Sequence, residues 1–213
     1  MPPSNVRKSR RQRGRRGRTY LLGTLALIIV IAVGLYVYAS APARIVYAKI
    51  NTPQGTIEVE LYQSATPKTV ANFVSLARSG FYNNLVWHRI VNGFVIQTGD
   101  PLTRNGGGDR SLWGTGGSPQ TVPLEIDSSL HNNVGYLGMA RSSDPNSGSS
   151  QFYINLADNR ASLDGQYTVF GKVTSGMDVA FAIANVPTYT QTQYKDQPVD
   201  PVFVTSVSIS DSP

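Results

Sequence analysis

The sequence predicts a mainly β protein: an eight-stranded antiparallel closed β-barrel capped by two α-helices, preceded by one N-terminal transmembrane helix. Three observations carry that expectation. Eight segments after residue 44 read as strands, two others repeat apolar residues at helical spacing, and no charged residue interrupts the chain between Arg18 and Arg44. At 213 residues and 40% apolar composition, the chain is long enough for one ordinary domain and an appendage.

The appendage comes first. Arg7, Lys8, Arg10, Arg11, Arg13, Arg15, Arg16 and Arg18 make residues 1–18 a basic tail, and residues 19–39 are almost all Leu, Ile, Val, Ala and Gly. About 20 helical residues cross a ~30 Å hydrocarbon core, so 19–39 reads as a transmembrane anchor. The eight cations put the tail in the cytoplasm and everything after Ala41 outside, with Tyr20, Tyr36 and Tyr38 as interfacial aromatics. Ala39-Ser40-Ala41 also has the small-x-small form of a signal-peptide cleavage site, so a secreted form cut near Ala41 is the alternative. The anchor is favoured because the apolar run exceeds a usual signal core and Pro42 would follow the cut. Arg10-Arg11 lacks the closely following apolar residues of a twin-arginine export signal. Residues 40–44 form a short linker stiffened by Pro42, and 45–213 form one domain without repeats.

Within that domain Ile57, Val59 and Leu61 alternate with Glu58 and Glu60, a half-buried strand with one wet face. The turn sequence Thr52-Pro53-Gln54-Gly55 joins it to 45–51 as a hairpin. Further strands are expected at 86–90, 94–98, 135–140, 151–155, 168–173 and 202–209. Thr66 is expected to cap a first helix opened by Pro67, in which Val70, Phe73, Val74 and Ala77 recur until Gly80. Ser175 with Asp178 reads as a capping box for a second, striped by Val179, Ala182 and Ile183 up to Asn185 and Pro187. Eight strands with two narrow covering helices favour a closed barrel, because closure removes sheet edges.

Composition excludes several chemistries. The formal charge of +6 invites a nucleic-acid reading, but after the tail eleven Lys and Arg face all thirteen acidic residues, a net of −2. With no cysteine there is no disulfide framework, thiol nucleophile or Cys-ligated metal, and His88 and His131 alone leave little for a zinc site. No Gly-x-Ser-x-Gly elbow occurs. The glycines of 106–108 and 114–117 lack the Lys-Ser/Thr of a phosphate loop and read as plain loop residues, as His131 reads as a solvated one. Gln97 and Gln151 stand out, because an amide in an apolar strand usually has a specified partner. Arg89 and Gln97 lie an even number of residues apart across Asn92-Gly93, a spacing that lets them share one face.

Three runs carry the chemistry: WHRIVNGFVIQTGD at 87–100, GMARSSDPNSGSSQFYINL at 138–156 and LDGQYTVFGKV at 163–173. In that order they make the chain resemble a cyclophilin-type peptidyl-prolyl cis-trans isomerase over about 45–209, with Met139-Ala140-Arg141 similar to the bacterial branch. The resemblance implies the barrel fold and these roles. Arg89 would be the catalytic arginine, Gln97 the glutamine that orients it, and Phe94 and Val95 part of the proline pocket, completed by Tyr153 and Leu163. Ala140 and the main chain of Arg141 would hold the residue before proline, with His88, Gln151 and Tyr167 on the rim. The physics is consistent. Peptide-bond rotation meets a barrier of ~18–20 kcal/mol because nitrogen shares its lone pair with the carbonyl, and a guanidinium that captures the lone pair as nitrogen pyramidalises lowers it.

The sequence departs from the family pattern at some positions. Ser162 stands where Trp or Phe is frequent, which argues against strong binding of cyclosporin-type inhibitors; Tyr153 stands for Phe, Tyr167 for His, Asn92 for Pro and Val95 for Met. The expected function is isomerisation of X-Pro bonds in exported chains, needing no cofactor, metal or nucleic acid. The expected partners are proline-containing polypeptides and, through the N-terminal helix, the cytoplasmic membrane, with a monomeric catalytic domain. The altered pocket leaves a second reading, a non-catalytic proline-binding chaperone module. An envelope structural protein without affinity for proline peptides is a third.

Overall fold

The computed structural model describes residues 28–31, 45–190 and 193–210. The chain divides between Pro42 and Ala43. On the N-terminal side only residues 28–31 are described, and they are helical and exposed. The tail at 1–18, the linker at 40–44 and the rest of the 19–39 anchor lie outside the described residues. Among those described, no helix is long and apolar enough to cross a membrane.

The domain opens on the hairpin of β1 (Ile45–Thr52) and β2 (Gly55–Tyr62), paired from Ile45↔Tyr62 to Thr52↔Gly55. Val46, Ala48 and Ile50 bury one face together with Ile57, Val59 and Leu61. The wet face carries Lys49–Glu58 at 2.7 Å, an exposed pair that contributes little. Helix α1 (Pro67–Arg78) follows and buries Val70, Phe73 and Ala77. Thr66 does not cap it: its Oγ1 donates to the Tyr62 carbonyl, and the free amides of Lys68 and Thr69 donate to the Glu125 carboxylate at 3.1 and 2.8 Å. An anion at a helix N-terminus does the same work as a cap, and the chain draws it from 57 residues away.

Two expected strands are each split. The segment read as 86–90 forms β3 (Leu85–Val86) and β4 (Arg89–Val91), because Leu85, Val86, Trp87 and His88 are all buried and alternation fails there. The segment read as 202–209 forms β9 (Phe203–Val204) and β10 (Ser206–Ser210), interrupted where Thr205 bonds the Asn51 carbonyl through both N–H and Oγ1. Between them lie β5 (Val95–Thr98), β6 (Tyr136–Met139), β7 (Phe152–Asn155), the short helix α2 (Arg160–Leu163), β8 (Val169–Ser175) and α3 (Met177–Ala184). Helix α2 and two 3-10 turns, Pro101–Gly106 and Arg110–Leu112, were not expected from periodicity. Nor is there a capping box on α3. Ser175 ends β8, and Gly176 takes the cap position at φ +86°, where a side chain would collide with the Thr56 carbonyl.

Eight strands form one antiparallel sheet in the order β10-β1-β2-β8-β6-β7-β5-β4. It curls around a single core but is not a closed barrel, since no ladder joins β4 to β10 among the described residues. The seam is bridged instead by the β3–β9 pair and by single bonds from Trp87 N to Val202 O and Ile90 N to Asp196 O. The split strands explain this: both edge-forming segments break where they would have to pair continuously. Helix α1 packs on β2 and β10, and α3 on β2, β4 and β5. Phe73, Tyr82, Phe152 and Phe170 fill the centre, with ring centroids 5.2–5.6 Å from Phe73.

Candidate active site

Ladder register sorts β4, β5, β7 and β6 into two rows. Ile90, Ile96, Ile154 and Leu137 pair across the strands and face the core. The neighbouring row is Arg89↔Gln97, Gln97↔Tyr153 and Tyr153↔Gly138, on the opposite face. Gly138 is required there, because a Cβ would run into the Tyr153 ring.

That outer face carries a second apolar cluster, separate from the core: Val95, Tyr153 and Leu163 buried, with Phe94, Ala140 and Tyr167 against them. With Arg89, Gln97 and Arg141 they line a cavity of about 240 Å³. Nine of the eleven residues singled out in the sequence therefore meet in one pocket. A second cavity of about 420 Å³ adjoins it, sharing Gln97, Ala140 and Arg141 and walled by the 114–117 glycine loop, Ser149 and Gln151. The glycines are thus more than plain loop.

Arg89 stands at the pocket mouth with its side chain 40% exposed. Its guanidinium carbon lies 5.6 Å from the Phe94 ring centroid, and Nε is 4.0 Å from an Asp196 carboxylate oxygen. Among the described residues its N–H groups make no hydrogen bond. The expected contact with Gln97 takes a different form. Gln97 is directly opposite Arg89 but donates to Gln151 Oε1 at 2.8 Å, and Gln151 donates to the carbonyls of Gly114 and Gly116. The loop is in turn tied down by Asp100, fully buried, which accepts from the amides of Leu102, Gly114 and Gly116. Gln97 is held from behind, and Arg89 keeps its donors free.

His88 is beneath the site rather than on its rim. It is 3% exposed, lines neither cavity and packs under Gly114. Burial pushes its pKa down to about 4 against the pull of the nearby Asp100 carboxylate, so the ring is neutral at physiological pH. Arg141 lines both cavities, fastened by Nε to the Gln166 carbonyl with its guanidinium carbon 4.7 Å from the Tyr167 ring centroid.

Sequence reasoning missed several residues behind the pocket. Asp196 beside Arg89 lies outside all three motifs, and Asn132, Asn155 and Asn159 are buried beneath Tyr153. His131 is the exposed loop residue expected, and it also has a partner: Nδ1 is 2.7 Å from Asp164. Burial works to raise the Asp164 pKa, but hydrogen bonds from Asn132 and His131 hold it below the usual range. Among the described residues, no group of three or more His, Asp or Glu is placed to hold a metal ion.

The profile of the family described as cyclophilin type peptidyl-prolyl cis-trans isomerase/CLD matches residues 47–209. The chain belongs to this family. A peptidyl-prolyl cis-trans isomerase of Acinetobacter baylyi is 38% identical over 189 residues, covering 87% of this chain and 96% of that protein. A cyclophilin-type isomerase of Cryptosporidium parvum superposes with a TM-score of 0.69 at 30% identity, over 79% of this chain and 99% of its own. Its crystal structure in the presence of the dipeptide Ala-Pro gives 0.67 at 31% identity, over 77% and 98%. In this cyclophilin the cavity with Arg89 at its mouth falls inside the matched region.

Proposed function

We propose that this chain accelerates cis-trans isomerisation of X-Pro bonds in polypeptides, with Arg89 as the catalytic group and the Phe94, Val95, Tyr153 and Leu163 surfaces as the clamp for the proline ring. The observation that carries the reading is a guanidinium that makes no hydrogen bond among the described residues, at the mouth of an apolar pocket. A ring held on that floor leaves the preceding carbonyl to turn. As the amide twists, the nitrogen regains its lone pair and a donor from Arg89 stabilises it, an interaction absent from either planar ground state. About 4 kcal/mol of such differential stabilisation gives ~10³-fold acceleration. Ala140 and Arg141 border both cavities, which suits Ala140 and the Arg141 main chain to hold the residue before proline. The Ala-Pro dipeptide used with the Cryptosporidium relative is of this substrate class.

The test is the exchange rate of a model X-Pro peptide with the full chain and with Arg89→Ala. Uncatalysed exchange takes tens to hundreds of seconds at 25 °C. Acceleration that collapses in the variant supports the enzyme. A folded wild-type chain that binds the peptide without accelerating it supports the chaperone reading.

The proposal extends to location. The eight cations before Thr19 and the uncharged run to Arg44 support a single-pass anchor with the domain outside the cytoplasmic membrane, acting on exported chains. Protease accessibility of intact cells tests the topology, and the mass of the mature protein in isolated membranes separates an anchor from cleavage near Ala41.

A further inference from the structure

We propose that Asn132 is a positioning residue for the proline pocket, acting as a clamp that holds both ends of helix α2 and the Tyr153 hydroxyl at once. The inference rests on the pocket assignment above and names the residues that set its shape. Asn132 is fully buried and lines no part of the pocket itself. Its carbonyl accepts from the Asn159 amide at 2.9 Å, at the N-terminal end of α2. Its own amide and Nδ2 donate to Asp164 Oδ1 at 2.8 and 3.0 Å, at the C-terminal end of the same helix. Its Oδ1 accepts from the Tyr153 hydroxyl at 2.8 Å.

The direction of each bond is settled by chemistry. A carboxylate only accepts, so Nδ2 must face Asp164 and Oδ1 must face Tyr153. Burial pushes the Tyr153 pKa up, which keeps its hydroxyl a donor. A four-residue helix cannot hold itself together, because its nucleation cost exceeds what one turn returns. Leu163, the pocket wall that α2 delivers, therefore depends on what grips its ends. The grip spreads further: Asn155 donates to Asn132 Oδ1 and accepts from Asn159 Nδ2, which also donates to the Phe94 carbonyl. Three walls of the pocket, Phe94, Tyr153 and Leu163, are thus tied to one buried amide network, while Arg89 takes no part in it.

That separation sets the test. Exchange kinetics and NMR titration of an Ala-Pro peptide are run on the full chain, Tyr153→Phe, Asn132→Ala and the double variant. Tyr153→Phe keeps the ring and deletes one oxygen, and is expected to raise Kd and KM about threefold, the size of one neutral hydrogen bond. Asn132→Ala is expected to raise both about tenfold with kcat within about twofold of wild type, and the double variant to show less than the product of the single effects. Should Asn132→Ala fail to fold, Asp164→Asn, which weakens the clamp at one end, takes its place with the same expected split. Wild-type Kd in Tyr153→Phe, a multiplicative double variant, or a kcat loss at unchanged KM would overturn the clamp while leaving the isomerase intact. A wild-type chain without rate enhancement would count against the enzyme, and the peptide Kd would still decide the clamp.

Discussion

The same four strands present two faces that differ in kind. On one, Ile90, Ile96, Ile154 and Leu137 are no more than 2% exposed and all belong to the main apolar core. On the other, Arg89, Gln97, Tyr153 and Gly138 occupy the equivalent ladder positions and combine a half-exposed cation, an amide held from behind, an aromatic floor and a vacancy for its ring. Stability resides on the first face and chemistry on the second. Period-two alternation lets one sheet do both, so damage to the two faces is expected to separate.

The largest stability effect is expected on the core row. Ile96→Ala leaves a cavity beneath the sheet and is expected to cost about 2–5 kcal/mol in denaturant unfolding, with the rate per folded molecule unchanged. If that rate falls as steeply as stability, the faces are coupled and the contrast fails.

Next in size is His88, which belongs to neither row. Its folded pKa of about 4 lies below the ordinary 6.5, so between those values the unfolded chain binds more protons. Stability is therefore full above pH 6.5 and declines as pH falls toward 4, by up to about 3 kcal/mol from this group. Urea unfolding of the chain and of His88→Leu across this range should show a slope that the variant flattens; equal slopes would remove His88 as the cause.

The smallest effect tests the remote cap. Glu125→Ala strips the carboxylate from the first turn of α1 and should cost about 1 kcal/mol without touching peptide affinity. A neutral result would mean that water serves those amides equally well.

What could be read beforehand follows the range of the interactions involved. The β1–β2 hairpin and α1 were legible because alternation and 3.6-residue spacing are local signals. The breaks within 86–90 and 202–209 were not, since they arise where Trp87 and His88 are both drawn inward and where Thr205 turns to Asn51. Thr66 had the right residue type for a cap, and only the fold could show that Glu125 reaches its helix first. The pocket was legible through three motifs that resemble a family, and the register of Arg89 with Gln97 agrees with their even spacing. The partner of Gln97 was not legible, because Gln151 is 54 positions away. For the same reason Asn132, Asn155 and Asn159 looked like any loop or strand-end amide until the fold brought them together.

The most direct test of the two-faced account measures kcat/KM for an X-Pro peptide and the unfolding midpoint together on Arg89→Ala. The account predicts a rate reduced ~10²–10³-fold at an almost unchanged midpoint, because a 40% exposed side chain that makes no hydrogen bond among the described residues holds little of the fold together. A variant that keeps its rate, or loses it only in step with its folded fraction, would contradict it.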